Sequence, residues 1–403
     1  MQKRTLVKDA LDSKEIELFG WIHEVRDLAN IKFLLLRDSS GVIQCAIKKD
    51  SKAWDKFNEM TLESIVEIKG KVKEANIKSE EVTMKDLEIE VYEINLINKA
   101  EILPIQVVQK DKSIKTDLSK RLDYRYLDIR KKEVKAIFKI QNTIINAFRE
   151  FFYSNGFIEI QTPSIIATST EGGTNLFKAK YFDKDVYLAQ SPQLYKQMAA
   201  ISWEKVFCTS TVWRAEKHNT IRHLNEARQM DIEVAFSDEF DVIKYLEEAV
   251  IFIIKKVIKE NKDDLKTLNL DLKIPKTKYV SYKEAVEILN KNKFKMKYGE
   301  DFEPAAEKKF DEIYQDTILF IHDWPQSLKP FYIWPKEGKE KLSGGFDALY
   351  GGMEISSGGK RIHIPKILTE EIKNRNLNPK DFKWYIDAFS LGSPNHSGWS
   401  IGL

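Results

Sequence analysis

Residues 212–236 read VWRAEKHNTIRHLNEARQMDIEVAF. Alternating apolar and polar residues at both ends of this stretch predict two strands joined by a charged loop. Arg214, Glu216, Arg222 and His223 cluster around that loop. An arginine can bind a phosphate through two parallel hydrogen bonds, and a carboxylate two residues away on the same strand face can accept an exocyclic amine. The pattern therefore suits ATP, while a charged surface loop remains the alternative.

Strands and helices alternate around this predicted hairpin. A helical pattern over residues 133–156 ends at Asn155-Gly156, a favourable C-cap, and a second helix is predicted from about residue 239 to residue 260. Between them the sequence predicts strands, which implies a mixed α+β core. Residues 261–340 are Lys-rich and irregular, and we interpret them as a helical insertion flanking the site. The alternative, that these helices belong to the core, stays open.

The N-terminal segment has a different pattern. Residues 17–99 contain five short predicted strands separated by turns, which favour a small β-barrel of the OB kind. An antiparallel sandwich fits the same pattern. Residues 100–135 are dense in charge and lack a long amphipathic period, so we predict a hinge there. The expected organisation is a barrel domain over residues 1–99, the hinge over 100–135 and a second domain over 136–403.

Composition limits the class of protein. The chain has 403 residues, 42% of them apolar, which favours two domains. Lys and Arg number 65 against 62 Asp and Glu, so a surface that binds nucleic acid must be local. Two cysteines cannot form a disulfide framework, and no stretch is long and apolar enough to span a membrane. These features predict a soluble protein of the reducing cytoplasm, with no membrane partner.

Several motifs resemble those of one enzyme family. The stretch from Trp213 to Glu216, together with Asp231 and Glu233, is similar to motif 2 of class II aminoacyl-tRNA synthetases, and GFIEIQTPSI with Pro163 resembles motif 1. Essentially the whole chain resembles the aspartyl-tRNA synthetases of the archaeal and eukaryotic type, which belong to subclass b. The resemblance is carried by GWIHEVRDL, RLDYRYLDIR, TEGGTNLF, LAQSPQLYKQ, RHLNEA and EISSGGKRIH.

The resemblance implies an α+β fold in which an N-terminal OB-fold β-barrel precedes a class II antiparallel sheet flanked by helices. It implies a ligase that attaches L-aspartate to tRNA(Asp) through an aspartyl-adenylate, with ATP as substrate and Mg²⁺ as cofactor. Adenylate formation needs no general base, since the aspartate α-carboxylate is already an anion that can attack the ATP α-phosphorus. The motif 1 resemblance implies a homodimer.

The resemblance also assigns roles to residues. Lys196 and Arg361 match the partners of the aspartate side-chain carboxylate, and a buried lysine without an anionic partner would be costly. The other residues expected to bind aspartate are Glu171, Ser191, Gln193, Gln229, Asp231 and Ser357. ATP is expected to contact Arg214, Glu216, Arg222, His223, Leu224 and Glu354, of which Arg214 and Glu216 are the expected catalytic residues. Mg²⁺ prefers oxygen ligands, and its expected ligands are Asp347, Glu354 and Ser357.

The barrel is expected to bind the tRNA anticodon. OB folds hold single-stranded RNA by stacking bases on aromatic side chains and by polar contacts to base edges and phosphates. The expected anticodon-binding residues are His23, Arg26, Phe33, Gln44 and Glu88. His23 lies where members strict for tRNA(Asp) carry tryptophan, so the chain resembles the relaxed members that also charge tRNA(Asn).

The end of the sequence departs from the family pattern. DAFSLGSPNHSGWSIGL, residues 387–403, resembles the opening of motif 3, whose arginine and C-terminal tail would follow. We expect either a shortened chain or a missing part supplied by another polypeptide. Two alternatives to the aspartate enzyme stay open, an asparagine-specific synthetase and a catalytically impaired RNA-binding paralogue. A lysyl enzyme is disfavoured, because its amino-acid pocket should be acidic.

Overall fold

Two compact units divide the chain, Met1–Lys135 and Ala136–Leu403. The structure is a computed structural model that describes residues 4–12, 15–108, 115–167, 176–217, 224–338 and 341–403. Among the helices in these ranges, none combines the length and the apolar character needed to cross a membrane.

The first unit contains a closed barrel. In its described residues the strands follow the order β1-β2-β3-β5-β4, with β3 and β5 parallel and the other neighbours antiparallel. Alternate residues of each strand point inward, and side chains such as Leu18, Leu36 and Ile68 fill the interior. Closure confirms the predicted barrel over the sandwich alternative. The strands are β1 (Glu15–Asp27), β2 (Ile31–Arg37), β3 (Val42–Lys48), β4 (Ile65–Glu74) and β5 (Leu87–Asn98).

The predicted hinge over residues 100–135 is helical in its second half. Two short helices, α1 (Leu118–Asp123) and α2 (Arg125–Asp128), precede the long helix α3 (Lys132–Ser154). Asp128 is fully buried and accepts hydrogen bonds from Arg121 and Arg125. Arg130 reaches Glu63 of the barrel at 3.0 Å. Ion pairs therefore hold this segment against the barrel within the first unit.

The second unit is built on a sheet of eight strands in the described part of the chain, in the order β12-β13-β14-β15-β16-β11-β10-β6. The sheet is mixed and not purely antiparallel as expected, because both edge pairs, β12 with β13 and β6 with β10, are parallel. A small sheet has the order β7-β9-β8. The strands are β6 (Ile158–Glu159), β7 (Ile165–Ile166), β8 (Lys178–Tyr181), β9 (Lys184–Leu188), β10 (Lys205–Trp213), β11 (Glu226–Ala235), β12 (Lys276–Ser281), β13 (Thr317–His322), β14 (Gly345–Tyr350), β15 (Met353–Lys360) and β16 (His396–Gly402).

Helices flank this sheet. The apolar faces of α3 and α5 form one core with Phe207, Ile232 and Trp399 of the sheet. The segment 261–340 contains three of the helices, but it also supplies β12 and β13, so it is partly built into the sheet. Lysines obscure the strand pattern of β12, KTKYVS, whereas β13, TILFIH, is a short apolar run whose pattern does not separate a strand from a buried helix. The helices are α4 (Gln193–Trp203), α5 (Glu239–Glu260), α6 (Lys262–Thr267), α7 (Tyr282–Lys291), α8 (Pro304–Ile313), α9 (Pro365–Asn374) and α10 (Lys383–Ser390).

Candidate active site

Four polar side chains lie in one row across the large sheet. Strand register places Asp347 opposite Ser357 and Ser357 opposite Ser400, and it places Ser400 opposite Asp231. Directly opposed residues of a sheet point to the same face, so these side chains share a face. The neighbouring residue Trp399 points to the other face, into the core formed with α3 and α5. The row is therefore the polar floor of a site on the face away from that core.

The next row along the strands contains two glycines beside Glu233. Gly359 lies opposite Gly398, which lies opposite Glu233. A Cβ atom on Gly398 would come within 2.2 Å of Glu233 Oε2, and one on Gly359 within 2.4 Å of the Gly344 carbonyl oxygen. The absence of side chains in this row leaves the space that the Glu233 carboxylate occupies.

Two buried cations and two buried carboxylates meet above these rows. Lys196, from the first turn of α4, donates to Asp231 Oδ1 at 2.9 Å and lies 3.6 Å from Glu233 Oε2. Arg361 forms a fork to Glu233 through Nε at 2.9 Å and Nη2 at 3.2 Å. All four side chains are nearly inaccessible to solvent. Burial raises the pKa of Asp231, and the Lys196 ammonium and the Ser400 hydroxyl oppose that rise.

The pairing of Lys196 differs from the prediction made from the sequence. We expected Lys196 to require a ligand carboxylate, but Asp231 of the same chain already partners it, and Asp231 is itself a residue expected to bind the substrate. The two charges of each sign balance, so an additional ligand has to match a neutral site with separated charges. Lys196, Arg361 and Asp231 are nevertheless brought together as the sequence suggested.

Other residues expected to bind aspartate lie around this set. Ser191 Oγ accepts from the Gln193 backbone N–H at 3.3 Å where α4 begins. Gln229 lies two residues before Asp231 on β11, so it faces the same side, and its Oε1 is buried with no hydrogen-bond partner among the described residues. Glu171 lies outside the described residues.

The residues expected to hold Mg²⁺ lie at the β14–β15 end of the polar row. Asp347 Oδ2 accepts from Lys329 at 2.5 Å, while its Oδ1 is buried and has no hydrogen-bond partner among the described residues. The surrounding protein raises the pKa of Glu354 by desolvation, and the Asp347 carboxylate adds to this rise, although the Glu354 side chain is open to solvent. No group of three or more His, Cys, Asp or Glu side chains in the described ranges is arranged to hold a metal. Two carboxylates with the Ser357 hydroxyl fit a Mg²⁺ ion that takes its remaining oxygen ligands from a phosphate or water.

The hairpin loop between β10 and β11 carries the residues expected to contact ATP. Arg214 is exposed, and its backbone N–H and carbonyl bond to Asn225 across the base of the loop. The side-chain amide of Asn225 also donates to the Glu216 carbonyl at 3.2 Å. Leu224 is exposed. Arg222 and His223 lie outside the described residues.

Four of the five residues expected to bind the anticodon share a region of the barrel surface. Arg26 pairs with Phe33 across β1 and β2, and Gln44 donates to Glu88 at 2.9 Å across β3 and β5. His23 differs from them because it is buried at a bulge of β1, where its Nδ1 faces Arg37 and its Nε2 faces Glu81, also within the first unit. The structure therefore groups Arg26, Phe33, Gln44 and Glu88, but not His23, as accessible side chains.

Sequence reasoning missed two residues of the site. Glu233 is the partner of Arg361, and the alternation in Asp231-Ile232-Glu233 could have indicated it, because residues two apart on a strand share a face. Lys329 neutralises Asp347 and lies 3.9 Å from the centre of the Trp324 ring. No local pattern identifies Lys329, because its contact with Asp347 depends on the tertiary fold.

Known proteins resemble the chain over its full length. Residues 117–403 match the family model of class II tRNA synthetases (D, K and N), and residues 16–97 match that of the OB-fold nucleic acid binding domain. The aspartate–tRNA(Asp/Asn) ligase of Methanopyrus kandleri is 40% identical over 400 residues, which cover 97% of this chain and 90% of that protein. The aspartate–tRNA(Asp) ligase of Thermoplasma acidophilum is 37% identical over 401 residues, which cover 98% and 92%.

A solved structure also resembles the chain over its full length. The asparaginyl-tRNA synthetase from Pyrococcus horikoshii, complexed with asparaginyl-adenylate, has a TM-score of 0.92 and 30% sequence identity, and the alignment covers 100% of this chain and 93% of that one. The family match spans the whole polar floor, the charged set and the hairpin loop described above. The chain therefore belongs to the class II tRNA synthetases of the D, K and N group.

Proposed function

We propose that this protein activates L-aspartate with ATP and attaches it to tRNA(Asp). The observation that carries the proposal is the buried set of Lys196 and Arg361 against Asp231 and Glu233. Both full-length relatives named above are aspartate–tRNA ligases, which supports the same substrate.

The charged set separates the three amino acids of the family. An aspartate bound through its side chain and α-ammonium brings one negative and one positive charge, which match a neutral site with separated charges. The Arg361 fork uses Nε and Nη2, so Nη1 is not part of it and is a donor suited to a carboxylate. A lysine side chain would bring a second cation to this neutral set, and asparagine would bring its α-ammonium without a matching negative side chain.

Adenylate formation then requires positioning and charge neutralisation. The aspartate α-carboxylate attacks the ATP α-phosphorus, the bond from that phosphorus to the bridging oxygen breaks, and pyrophosphate leaves as the aspartyl-adenylate forms. Arg214 at the base of the hairpin loop neutralises charge on the phosphates. Asp347, Glu354 and Ser357 would hold Mg²⁺, whose chemistry is to neutralise phosphate oxygens. Lys329 keeps one oxygen of Asp347 occupied, so the buried Oδ1 is the oxygen that this residue can offer.

The barrel provides the contacts to RNA in this proposal. Arg26, Phe33, Gln44 and Glu88 supply a cation, an aromatic face and polar groups on one surface, the combination that OB folds use for single-stranded RNA. Charging of tRNA(Asn) as well is supported by the Methanopyrus kandleri relative, which is an aspartate–tRNA(Asp/Asn) ligase. His23 does not add to this support, because it is buried between Arg37 and Glu81. A homodimer is supported by the motif 1 segment, residues 156–165, in which Ile158 and Ile165 are exposed.

The test is amino-acid-dependent exchange between ATP and pyrophosphate by this polypeptide, with Mg²⁺ present. We expect exchange with L-aspartate and none with L-asparagine or L-lysine. Exchange with asparagine alone would contradict the proposed substrate. A folded protein that gives no exchange with any of the three would contradict the proposed enzyme and favour an RNA-binding paralogue.

A further inference from the structure

A chain of hydrogen bonds runs beside the charged set, behind the first turn of α4. Gln193 Nε2 donates to Gln197 Oε1 at 2.9 Å, and the Tyr385 hydroxyl donates to the same oxygen at 2.9 Å. Gln197 Nε2 lies 2.9 Å from His396 Nε2, and His396 Nδ1 lies 3.0 Å from the Pro394 carbonyl oxygen. Gln197 and His396 have no exposed surface. Each of these atoms therefore depends on its protein partner for a hydrogen bond.

The direction of every bond follows from one atom. The Pro394 carbonyl can only accept, so His396 carries its proton on Nδ1. Burial lowers the pKa of His396 to about 4, so the ring is neutral near pH 7 and its Nε2 is an acceptor. Gln197 must therefore turn its amide nitrogen to His396 and its carbonyl oxygen to the other two partners.

The same reasoning fixes the next amide. Because Gln197 presents its carbonyl oxygen, Gln193 must present its amide nitrogen to Gln197. The side-chain carbonyl oxygen of Gln193 is then directed away from this series of hydrogen bonds. The two ends of a glutamine amide have nearly the same shape, so hydrogen bonding alone decides between the two orientations. A carbonyl oxygen accepts from an ammonium group, whereas an amide nitrogen would meet it donor to donor.

We propose that Gln197 and His396 are positioning residues that hold Gln193 with its carbonyl oxygen toward the amino acid, where it accepts from the ligand's α-ammonium group. This inference rests on the proposed function, because it takes an amino acid as the ligand. Gln193 and Lys196 lie in the first turns of the same helix, one turn apart. The series of hydrogen bonds that ends at Gln193 therefore lies next to the charged set. Without Gln197 the Gln193 amide can turn over, and it then offers a donor to a cation.

Binding of L-aspartate and of L-malate distinguishes orientation from general loss of the pocket. L-Malate has a hydroxyl group in place of the α-ammonium, and a hydroxyl can both donate and accept. Calorimetry on the full chain should show that Gln197→Met weakens aspartate binding by about tenfold, or about 1.4 kcal/mol. Malate binding should change by less than about twofold, so the aspartate-to-malate ratio falls. Gln197→Glu keeps an oxygen toward Gln193, and its second oxygen draws a proton to His396 Nε2, so the ratio should recover.

Three comparisons complete the experiment. Tyr385→Phe removes the other donor to the Gln197 oxygen and should keep the ratio, whereas His396→Phe frees the Gln197 amide and should lower it. Thermal unfolding by circular dichroism checks that each variant is folded. If Gln197→Met does not fold, the comparison of the two ligands is made with His396→Phe. An equal loss of both ligands in the two disrupting variants, or a Gln197→Glu ratio as low as that of Gln197→Met, would overturn the inference. Wild-type protein that does not bind aspartate would instead overturn the proposed function, and this inference with it.

Discussion

Lys196 and Arg361 each face a buried carboxylate of the same chain. Removing one charge from such a set leaves a partner buried and unpaired, which costs about 3–5 kcal/mol. We therefore predict that Lys196→Met lowers the free energy of unfolding by about 3 kcal/mol or more, in addition to abolishing aspartate binding. Urea unfolding at neutral pH measures the first effect and calorimetry the second.

The control for that prediction removes the stranded charge as well. The double variant Lys196→Met/Asp231→Asn no longer contains the carboxylate that Lys196→Met leaves unpaired, so most of the lost stability should return. Aspartate binding should not return, because the ammonium is still absent. Full stability in the single variant would show that Lys196 and Asp231 are not an ionised pair in the folded protein.

The sequence predicts three residues of this set, Lys196, Arg361 and Asp231, as parts of the site, but it predicts neither the role of Glu233 nor the pairing. Lys196 is 35 positions from Asp231, and Arg361 is 128 positions from Glu233. Strand alternation predicts that Asp231 and Glu233 share a face, yet only the register of β11 with β16, and of β16 with β15, places them beside Lys196 and Arg361. Chemistry of a residue can be read locally, whereas its partner is a property of the fold.

At the scale of the elements, strand β16 contains a matched pair of glycines. A Cβ at Gly398 would lie 2.2 Å from Glu233 Oε2 and 2.3 Å from the Ile232 carbonyl oxygen, whereas one at Gly402 would meet nothing within 4 Å. We predict that Gly398→Ala destabilises the protein by about 2 kcal/mol or more, by pushing β16 from β11 and Glu233 from Arg361. Gly402→Ala should change stability by less than about 0.5 kcal/mol. Thermal unfolding of both variants tests this, and equal effects would contradict the proposed close packing.

A second element-scale prediction concerns the ion pairs that join the β4–β5 loop to β1 and to the start of α3. The hydrogen bond from His23, followed by that from Lys132, lowers the pKa of Glu81 from 4.5 to about 2. A carboxyl group with a lowered folded-state pKa stabilises the fold above its unfolded pKa and loses this effect as pH falls. The stabilisation should therefore be complete above about pH 5, decline below about pH 4.5 and vanish near pH 2.

The measurement compares the urea midpoint of the first unit in wild type and Glu81→Gln at several pH values. Wild type should exceed the variant at pH 7, and the difference should shrink as the pH is lowered. Glu80→Gln, at the exposed neighbouring position, is the control and should follow wild type. A difference that is independent of pH would contradict the pairing of Glu81.

The elements show where sequence patterns suffice. Alternation identified the five barrel strands and the β10–β11 hairpin, and apolar spacing identified α3 and α5, because each has a clear period. The sequence does not predict β12, because an edge strand rich in lysine lacks the apolar run of a central strand. It does not predict β13 either, because the short apolar run TILFIH has no period that separates a buried strand from part of a buried helix. The sequence predicts a hinge where α1 and α2 lie, because six and four residues are too few to show a helical period.

At the scale of the whole molecule, each unit has its own proposed role: one activates aspartate and the other binds tRNA. The polar floor and the charged set belong to the unit Ala136–Leu403, and the surface with Phe33 and Gln44 belongs to Met1–Lys135. Exchange between ATP and pyrophosphate involves no tRNA, whereas charging involves both units. Substitutions on the barrel surface should therefore affect charging and leave exchange unchanged.

Phe33→Ala is the substitution that tests this division. Stacking of a base on an aromatic side chain contributes about 1–3 kcal/mol, so we predict that the KM for tRNA(Asp) rises by about tenfold or more. Tyr92→Ala removes an exposed aromatic ring from β5 outside the predicted surface and should leave that KM unchanged. Aspartate-dependent exchange should match wild type in both variants. A loss of exchange in Phe33→Ala would mean that the barrel supports the active site directly, and an equal rise in KM for both variants would mean that the RNA contact is not centred on the face formed by Arg26, Phe33, Gln44 and Glu88.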